Sequence, residues 1–159
     1  MYLEVTGATL YVEVDGSNSL PALLLWPPGG CNLRVWDHLV PNLCARFHVI
    51  RIDLRGLGQS SVTEDPETQY TFEQYAEDAC AVLDHLGITA CHVWSQSWGS
   101  RPAMAFAALY PDRVLTAALY AANVDMPDVE AQRSGSKLAA DRRREDGITT
   151  MPLPDGFQV

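Results

Sequence analysis

Four short apolar runs, separated by segments with helical spacing, constrain this chain more than any other feature. Ala22 to Trp26 and His48 to Ile52 are continuous apolar stretches of the kind that suits strands covered on both faces. Cys91 to Trp94 gives a further strand, and Val114 to Ala122 another apolar strand-like stretch. Parallel pairing of such strands requires a crossover, and the intervening segments supply it. Val35 to Phe47 places Trp36, Leu39, Val40 and Leu43 at helical intervals, with Pro41 keeping that helix short or kinked. The clearest helix starts at Thr71, which forms a capping box with Gln74. Phe72, Tyr75, Ala76, Ala79, Val82, Leu83 and Leu86 make its apolar face, and Gly87 ends it. Arg101 to Tyr110 is an alanine-rich helix. The resulting order, β-α-β-α-β-α-β, argues for an α/β fold with a doubly wound, mostly parallel sheet. Ahead of it, residues 2 to 14 alternate apolar and polar around Gly7 and stop at Asp15-Gly16, which predicts two edge strands joined as an antiparallel hairpin.

With 47% apolar residues in a chain of 159, a single core is the expectation. The balance of 20 acidic against 11 basic residues, a net charge of -9, repels phosphate backbones and anionic lipid, so neither nucleic acid nor a membrane surface is an expected partner. The first residues carry acids where a secretory signal needs a basic flank and an apolar run, and no export signal or membrane span is expected. Cys31, Cys44, Cys80 and Cys91 lack C-x-x-C spacing and sit in apolar contexts, which predicts unpaired, mostly buried thiols in a reducing cytoplasm. His38, His48, His85 and His92 show no metal-ligand spacing, so no metal site is expected. His48 and His92 read as strand residues and His38 and His85 as helix residues. After Asn123 the composition changes: between Asp128 and Asp146 only Val129 and Leu138 are sizeable apolar anchors, and residues 149–159 read as loop. Two such anchors cannot offset an ordering cost of about 1 to 2 kcal/mol per residue, so residues 129–159 are expected to pack poorly.

The segment Cys91 to Arg113, C-H-V-W-S-Q-S-W-G-S-R-P-A-M-A-F-A-A-L-Y-P-D-R, holds the chemistry. A strand ends, a tight turn follows at Ser97, and a helix begins. A serine on such a turn adopts a strained backbone, so its neighbours two before and two after must be small; they are Ser95 and Gly99. The helix N-terminus beneath the serine favours the negative charge that develops in acyl transfer. A serine-rich strand-to-helix loop with no chemistry would also satisfy this pattern, since serine caps helices well.

Two further segments support the chemical reading. Trp26 to Trp36, W-P-P-G-G-C-N-L-R-V-W, resembles the oxyanion loop that follows the third strand of α/β-hydrolases, and Asp53 to Ser60, D-L-R-G-L-G-Q-S, resembles the D-x-R-G-x-G-x-S loop after their fourth strand. With the serine turn, which departs from G-x-S-x-G in having Ser95 for the first glycine, three motifs agree in order and spacing. The chain therefore resembles the N-terminal part of an α/β-hydrolase over about residues 1 to 128. That resemblance implies strand order 1-2-4-3-5-6 and a serine hydrolase acting on a small-molecule ester, lactone or amide without a metal or organic cofactor. It implies Ser97 as nucleophile, in a cleft beside the backbone N–H groups of Gly29 and Trp98 as oxyanion donors. Pro27-Pro28 stands where the family carries His-Gly, and Pro28 offers no N–H; stiffening of the loop is the plainer reading of the diproline. The Asp53 loop reads as structural, with Arg55 bonding nearby carbonyls.

In this fold the triad runs serine, acid, histidine along the chain. Every histidine here precedes Ser97. Asp125, just past the sixth strand, occupies an acid position used by some relatives. The resemblance thus implies a hydrolase core over residues 1–126, then the start of a cap segment and loop tail over 127–159, with the last two strands and the catalytic base beyond. A chain so truncated is expected to be inactive or weak, because loss of a triad member can cost on the order of a million-fold in turnover. A non-catalytic binding protein that keeps a degenerate hydrolase fold, and an incomplete product with no role of its own, remain the alternatives. Substrate and oligomeric state are not legible. The turn S-W-G-S is similar to proline iminopeptidases and the L-W-P-P-G-G segment to enol-lactonase-like hydrolases, while a serine at this turn argues against the dehalogenases and epoxide hydrolases of the same fold, which use aspartate there.

Overall fold

In the computed structural model, residues 1–63 and 65–122 are described, and the account below concerns these alone. Six strands form one mixed sheet: β1 (Tyr2–Val5), β2 (Ala8–Asp15), β3 (Ala22–Trp26), β4 (His48–Asp53), β5 (Cys91–Gln96) and β6 (Val114–Tyr120). Their spatial order is β1-β2-β4-β3-β5-β6, the order the resemblance implies. β1, β2 and β4 pair antiparallel, and β4, β3, β5 and β6 pair parallel. The hairpin therefore forms, but of its two strands only β1 is an edge. β2 lies inside the sheet because its far side hydrogen-bonds to β4, Val12 opposite Ile52.

The continuous apolar runs of β3 and β4 are buried on both faces. On one face Leu10, Val12, Leu24, Ile50 and Val93 meet Ala76, Ala79, Val82 and Leu83 of α3 (Phe72–His85) and Ala103 and Phe106 of α4 (Ser100–Leu109). Complete burial of a residue such as Phe106 stabilises by roughly 2–3 kcal/mol. On the other face Leu23, Leu25 and Val49 meet Trp36 and Val40, with the Trp36 and Trp94 rings 5.6 Å apart. The crossover expected over Val35 to Phe47 is built from two short pieces, a 3-10 turn at Leu33–Trp36 and α1 (Val40–Leu43). Pro41 sits in the first turn of α1, where its missing N–H has no intrahelical partner to lose, so it starts a helix instead of kinking one. His38 consequently lies exposed in the turn between them rather than on a helix.

α3 begins as its capping residue predicts: the Thr71 hydroxyl accepts from the Gln74 backbone N–H at 3.1 Å. The reciprocal half of the box is absent, since the Gln74 amide donates to Glu77 instead. At the other end Ile88 N–H reaches back to Leu83 O at 2.8 Å and closes the helix. A short α2 (Pro66–Gln69), which periodicity did not predict, precedes it. All four cysteines are free, but only Cys91 is buried; Cys31, Cys44 and Cys80 are half-buried, against the expectation of mostly buried thiols. They lie on loops, at a helix end or on the rim of a helix face, where apolar neighbours in sequence do not amount to a core. No described helix is long and apolar enough to cross a membrane. The expectations for residues 127–159 lie outside the described residues.

Candidate active site

β5 delivers the chain to a turn that bends back into α4, and Ser97 stands at that bend with φ of 54°. An L-residue rarely holds this left-handed conformation, which costs roughly 1–2 kcal/mol. The neighbours explain how the strain is tolerated. Gly99 lies against the carbonyl oxygen of Pro27, and a Cβ there would overlap that oxygen. Ser95, in place of the usual glycine, is fully buried and uses its hydroxyl: it donates to Ser100 Oγ at 2.9 Å, which donates to the Tyr120 carbonyl at 3.2 Å. The substitution thus adds a hydrogen-bonded link from β5 through α4 to β6.

The loop after β3 approaches from the other side. Pro28 O accepts from Cys31 N–H at 3.1 Å, and Gly30 takes φ of 73°, the third position of a turn that only glycine fills without strain. Gly29 is thereby brought against Trp98, whose Cβ would lie 3.0 Å from a Cβ built on Gly29. The Trp98 ring is held edge-on by Tyr75, 5.6 Å away at 89°, and tilted against Phe72 at 6.1 Å. A cleft of about 430 Å³ opens here, lined by Gly29, Gly30, Arg55, Gly56, Leu57, Tyr70, Tyr75 and Trp98.

The structure therefore brings Gly29 and Trp98 to one cleft and sets Ser97 at the adjoining bend. Ser97 itself is exposed, next in the chain to Trp98 of the cleft wall. Its hydroxyl has no hydrogen-bond partner among the described residues; His92, earlier on β5, bonds Thr116 at 2.8 Å instead. Asp125 lies outside the described residues. No group of three or more His, Cys, Asp or Glu is placed to hold a metal among the described residues.

The Asp53 loop contributes more than scaffolding. Asp53 anchors both loops, accepting from Leu33 N–H at 2.6 Å and Gln59 N–H at 2.8 Å. Arg55, fully buried, forms a two-bond pair with Asp78 of α3, at 2.8 and 2.6 Å, and donates to the Thr6 carbonyl at 3.1 Å. The Thr6 carbonyl is a partner of the expected kind, and the Asp78 carboxylate is the one that sequence did not predict. Burial raises the Asp78 carboxyl above its usual range despite the opposing guanidinium. Tyr70 and Tyr75 were missed as site residues: Tyr75 reads in sequence as one more apolar position of α3, and nothing local marks Tyr70.

The family assignment rests on comparison. A family model described as the alpha/beta hydrolase fold matches residues 21–146. The chain belongs to the α/β-hydrolase fold family. Among its relatives, rhodomycin D methylesterase of a Streptomyces species is 33% identical over 148 residues, which are 92% of this chain and 48% of that protein. A hydrolase structure from Pseudomonas aeruginosa superposes with a TM-score of 0.78 at 30% identity, covering 88% of this chain and 51% of the other. The enol-lactonase structure from Burkholderia xenovorans gives a TM-score of 0.73 at 31% identity, covering 89% and 57%. The chain spans about half the length of that methylesterase. For an α/β-hydrolase, a bend of this kind after β5 and a glycine loop after β3 are where acyl-transfer chemistry is assembled.

Proposed function

We propose that this α/β-hydrolase chain carries the nucleophile and oxyanion elements of a serine hydrolase acting on a small-molecule ester or lactone. The observation that carries the reading is Ser97 with φ of 54° at the bend, where the family places its nucleophile. Ser97 Oγ attacks the substrate carbonyl carbon, and the resulting oxyanion is met by the N–H groups of Gly29 and Trp98. Each such donor contributes about 3 kcal/mol in related chemistry. The acyl group is then transferred from the serine to water. Esters and lactones are favoured over amides because the relatives at 30% identity or more include a methylesterase and an enol-lactonase. Asp125 is the proposed acid. A reducing, cytoplasmic setting agrees with four free thiols, among which burial pushes Cys91 up to about 12 and so keeps it unreactive.

All four histidines precede Ser97, so the 159-residue chain is expected to hydrolyse p-nitrophenyl acetate only slightly faster than its Ser97→Ala variant. The difference is small but not zero, since the oxyanion donors serve both proteins and only the wild type adds slow attack by a serine hydroxyl without a base. Equal rates for the two proteins, at a precision that resolves a twofold difference, would remove the basis for Ser97 as nucleophile.

A further inference from the structure

Part of the cleft lining consists of hydrogen-bond donors that the acyl-transfer reading does not use. Tyr70 and Tyr75 both line it, and neither hydroxyl has a hydrogen-bond partner among the described residues. Gly56 allows this arrangement: with φ of 77° and no side chain, it lets the Tyr70 hydroxyl settle against its Cα, where a Cβ would overlap the oxygen. Burial pushes the Tyr75 phenol up to about 12, and nearby Tyr70 adds to the rise, so at neutral pH Tyr75 is an O–H donor and not a phenolate. Arg55, which also lines the cleft, is 1% exposed. Four buried side-chain atoms lack a partner among the described residues: Trp26 Nε1, Trp36 Nε1, His48 Nδ1 and Arg55 Nη1. Of these four residues, only Arg55 lines the cleft.

Charge decides what such a wall can take. Arg55 already holds its counter-charge, because both Asp78 carboxylate oxygens accept from it within 2.8 Å. A second carboxylate would enter beside Asp78 with only one guanidinium between two anions, and would lose its water to do so. A neutral oxygen that only accepts hydrogen bonds meets no such repulsion. Arg55 Nη1 is buried without a partner among the described residues, and an accepting oxygen recovers a hydrogen bond there that a ligand lacking it cannot supply, so such a ligand binds more weakly.

We propose that Tyr70, Tyr75 and Arg55 form a subsite for a second, neutral carbonyl oxygen of the substrate, so that the site selects keto esters or keto lactones over plain esters and over half-acid esters. This rests on the cleft being the substrate site of the proposed hydrolase. The donors lie on the Asp53 loop and the α2–α3 segment, elements separate from the Gly29 loop and the Ser97 bend, so they leave the Gly29 and Trp98 amides to the reacting carbonyl.

The test measures binding in the full chain carrying Ser97→Ala, in which no turnover consumes the ligand. Amide shifts of Gly29 and Gly30 and the Trp98 indole are followed against ethyl acetoacetate, against ethyl butanoate, which lacks only the ketone, and against monoethyl malonate, which replaces it with a carboxylate. The keto ester is expected to bind about tenfold more tightly than the other two, the worth of one or two well-placed hydrogen bonds. Tyr75→Phe and Tyr70→Phe remove the donors and keep the rings, and each is expected to cut that preference to about threefold or less. Equal affinity for keto ester and butanoate, preference for the malonate, no saturable shift with any of them, or a preference unchanged in both tyrosine variants would overturn the subsite. A preference that stands while Ser97 proves unreactive would overturn the hydrolase reading and leave the subsite intact.

Discussion

A methyl group on Gly99 would collide with the carbonyl oxygen of Pro27, because the bend that carries Ser97 is wedged against the end of β3. The obstacle is backbone on both sides, so neither partner can move without pulling a strand. Gly99→Ala is therefore expected to destabilise by about 3 kcal/mol or more. Gly30→Ala is the comparison: its φ of 73° strains an alanine, which Gly99 at -60° would not, but it has open space around it and should cost only about 1–2 kcal/mol. Urea unfolding of both variants checks the order, and similar losses would show that the wedge is not as tight as drawn.

Ser95 and Ser100 carry a hydrogen-bonded link that the usual glycine cannot make. Ser95→Ala removes its donor and should cost about 1 kcal/mol. Ser100→Ala leaves both the buried Ser95 hydroxyl and the Tyr120 carbonyl short of a partner, and should cost about twice as much. Thermal unfolding of the two single variants decides it, and a larger loss from Ser95→Ala would contradict the direction of the chain.

Acid should loosen the β1–β2–β4 side of the sheet through Glu13. Burial alone would raise its carboxyl, but hydrogen bonds from Tyr11 and Arg34 and the charges of Arg51 and Arg34 outweigh that and hold it below its ordinary 4.5. A carboxyl depressed in the folded state lends stability that is complete above the unfolded value and is lost as pH falls through the folded one. Wild-type stability should therefore drop more steeply than that of Glu13→Gln between about pH 5 and pH 3. Parallel curves would place the acid sensitivity elsewhere.

Much of this architecture is legible in the sequence, for reasons that particular residues make plain. The runs at Ala22 and His48 are apolar at every position because both faces of those strands are covered, and Thr71 starts α3 because its own hydroxyl caps it. Ser97 with Gly99 announces a bend that backbone sterics dictate locally. What escapes is set by distance along the chain. Asp78 meets Arg55 across 23 residues, and β2 is interior only because β4 pairs with it. The cleft's tyrosines depend on how the Asp53 loop meets α3, and an amphipathic pattern cannot separate a tyrosine that fills a core from one that turns its hydroxyl to a cleft. Pro41 misleads because the same residue kinks a long helix and starts a short one.

The most direct test is a fluorophosphonate probe incubated with the purified 159-residue chain, with the adduct located by mass spectrometry. Labelling depends on the serine and its oxyanion donors and not on recognition of any particular substrate. The account predicts an adduct on Ser97 and on no other serine, forming slowly because every histidine precedes it, and abolished in Ser97→Ala. An adduct on a different serine, or none on Ser97 after prolonged incubation, would contradict the nucleophile assignment. Rapid labelling at Ser97 would contradict the absence of a base, by showing that His38, His48, His85 or His92, from the same chain or a second copy, serves as one.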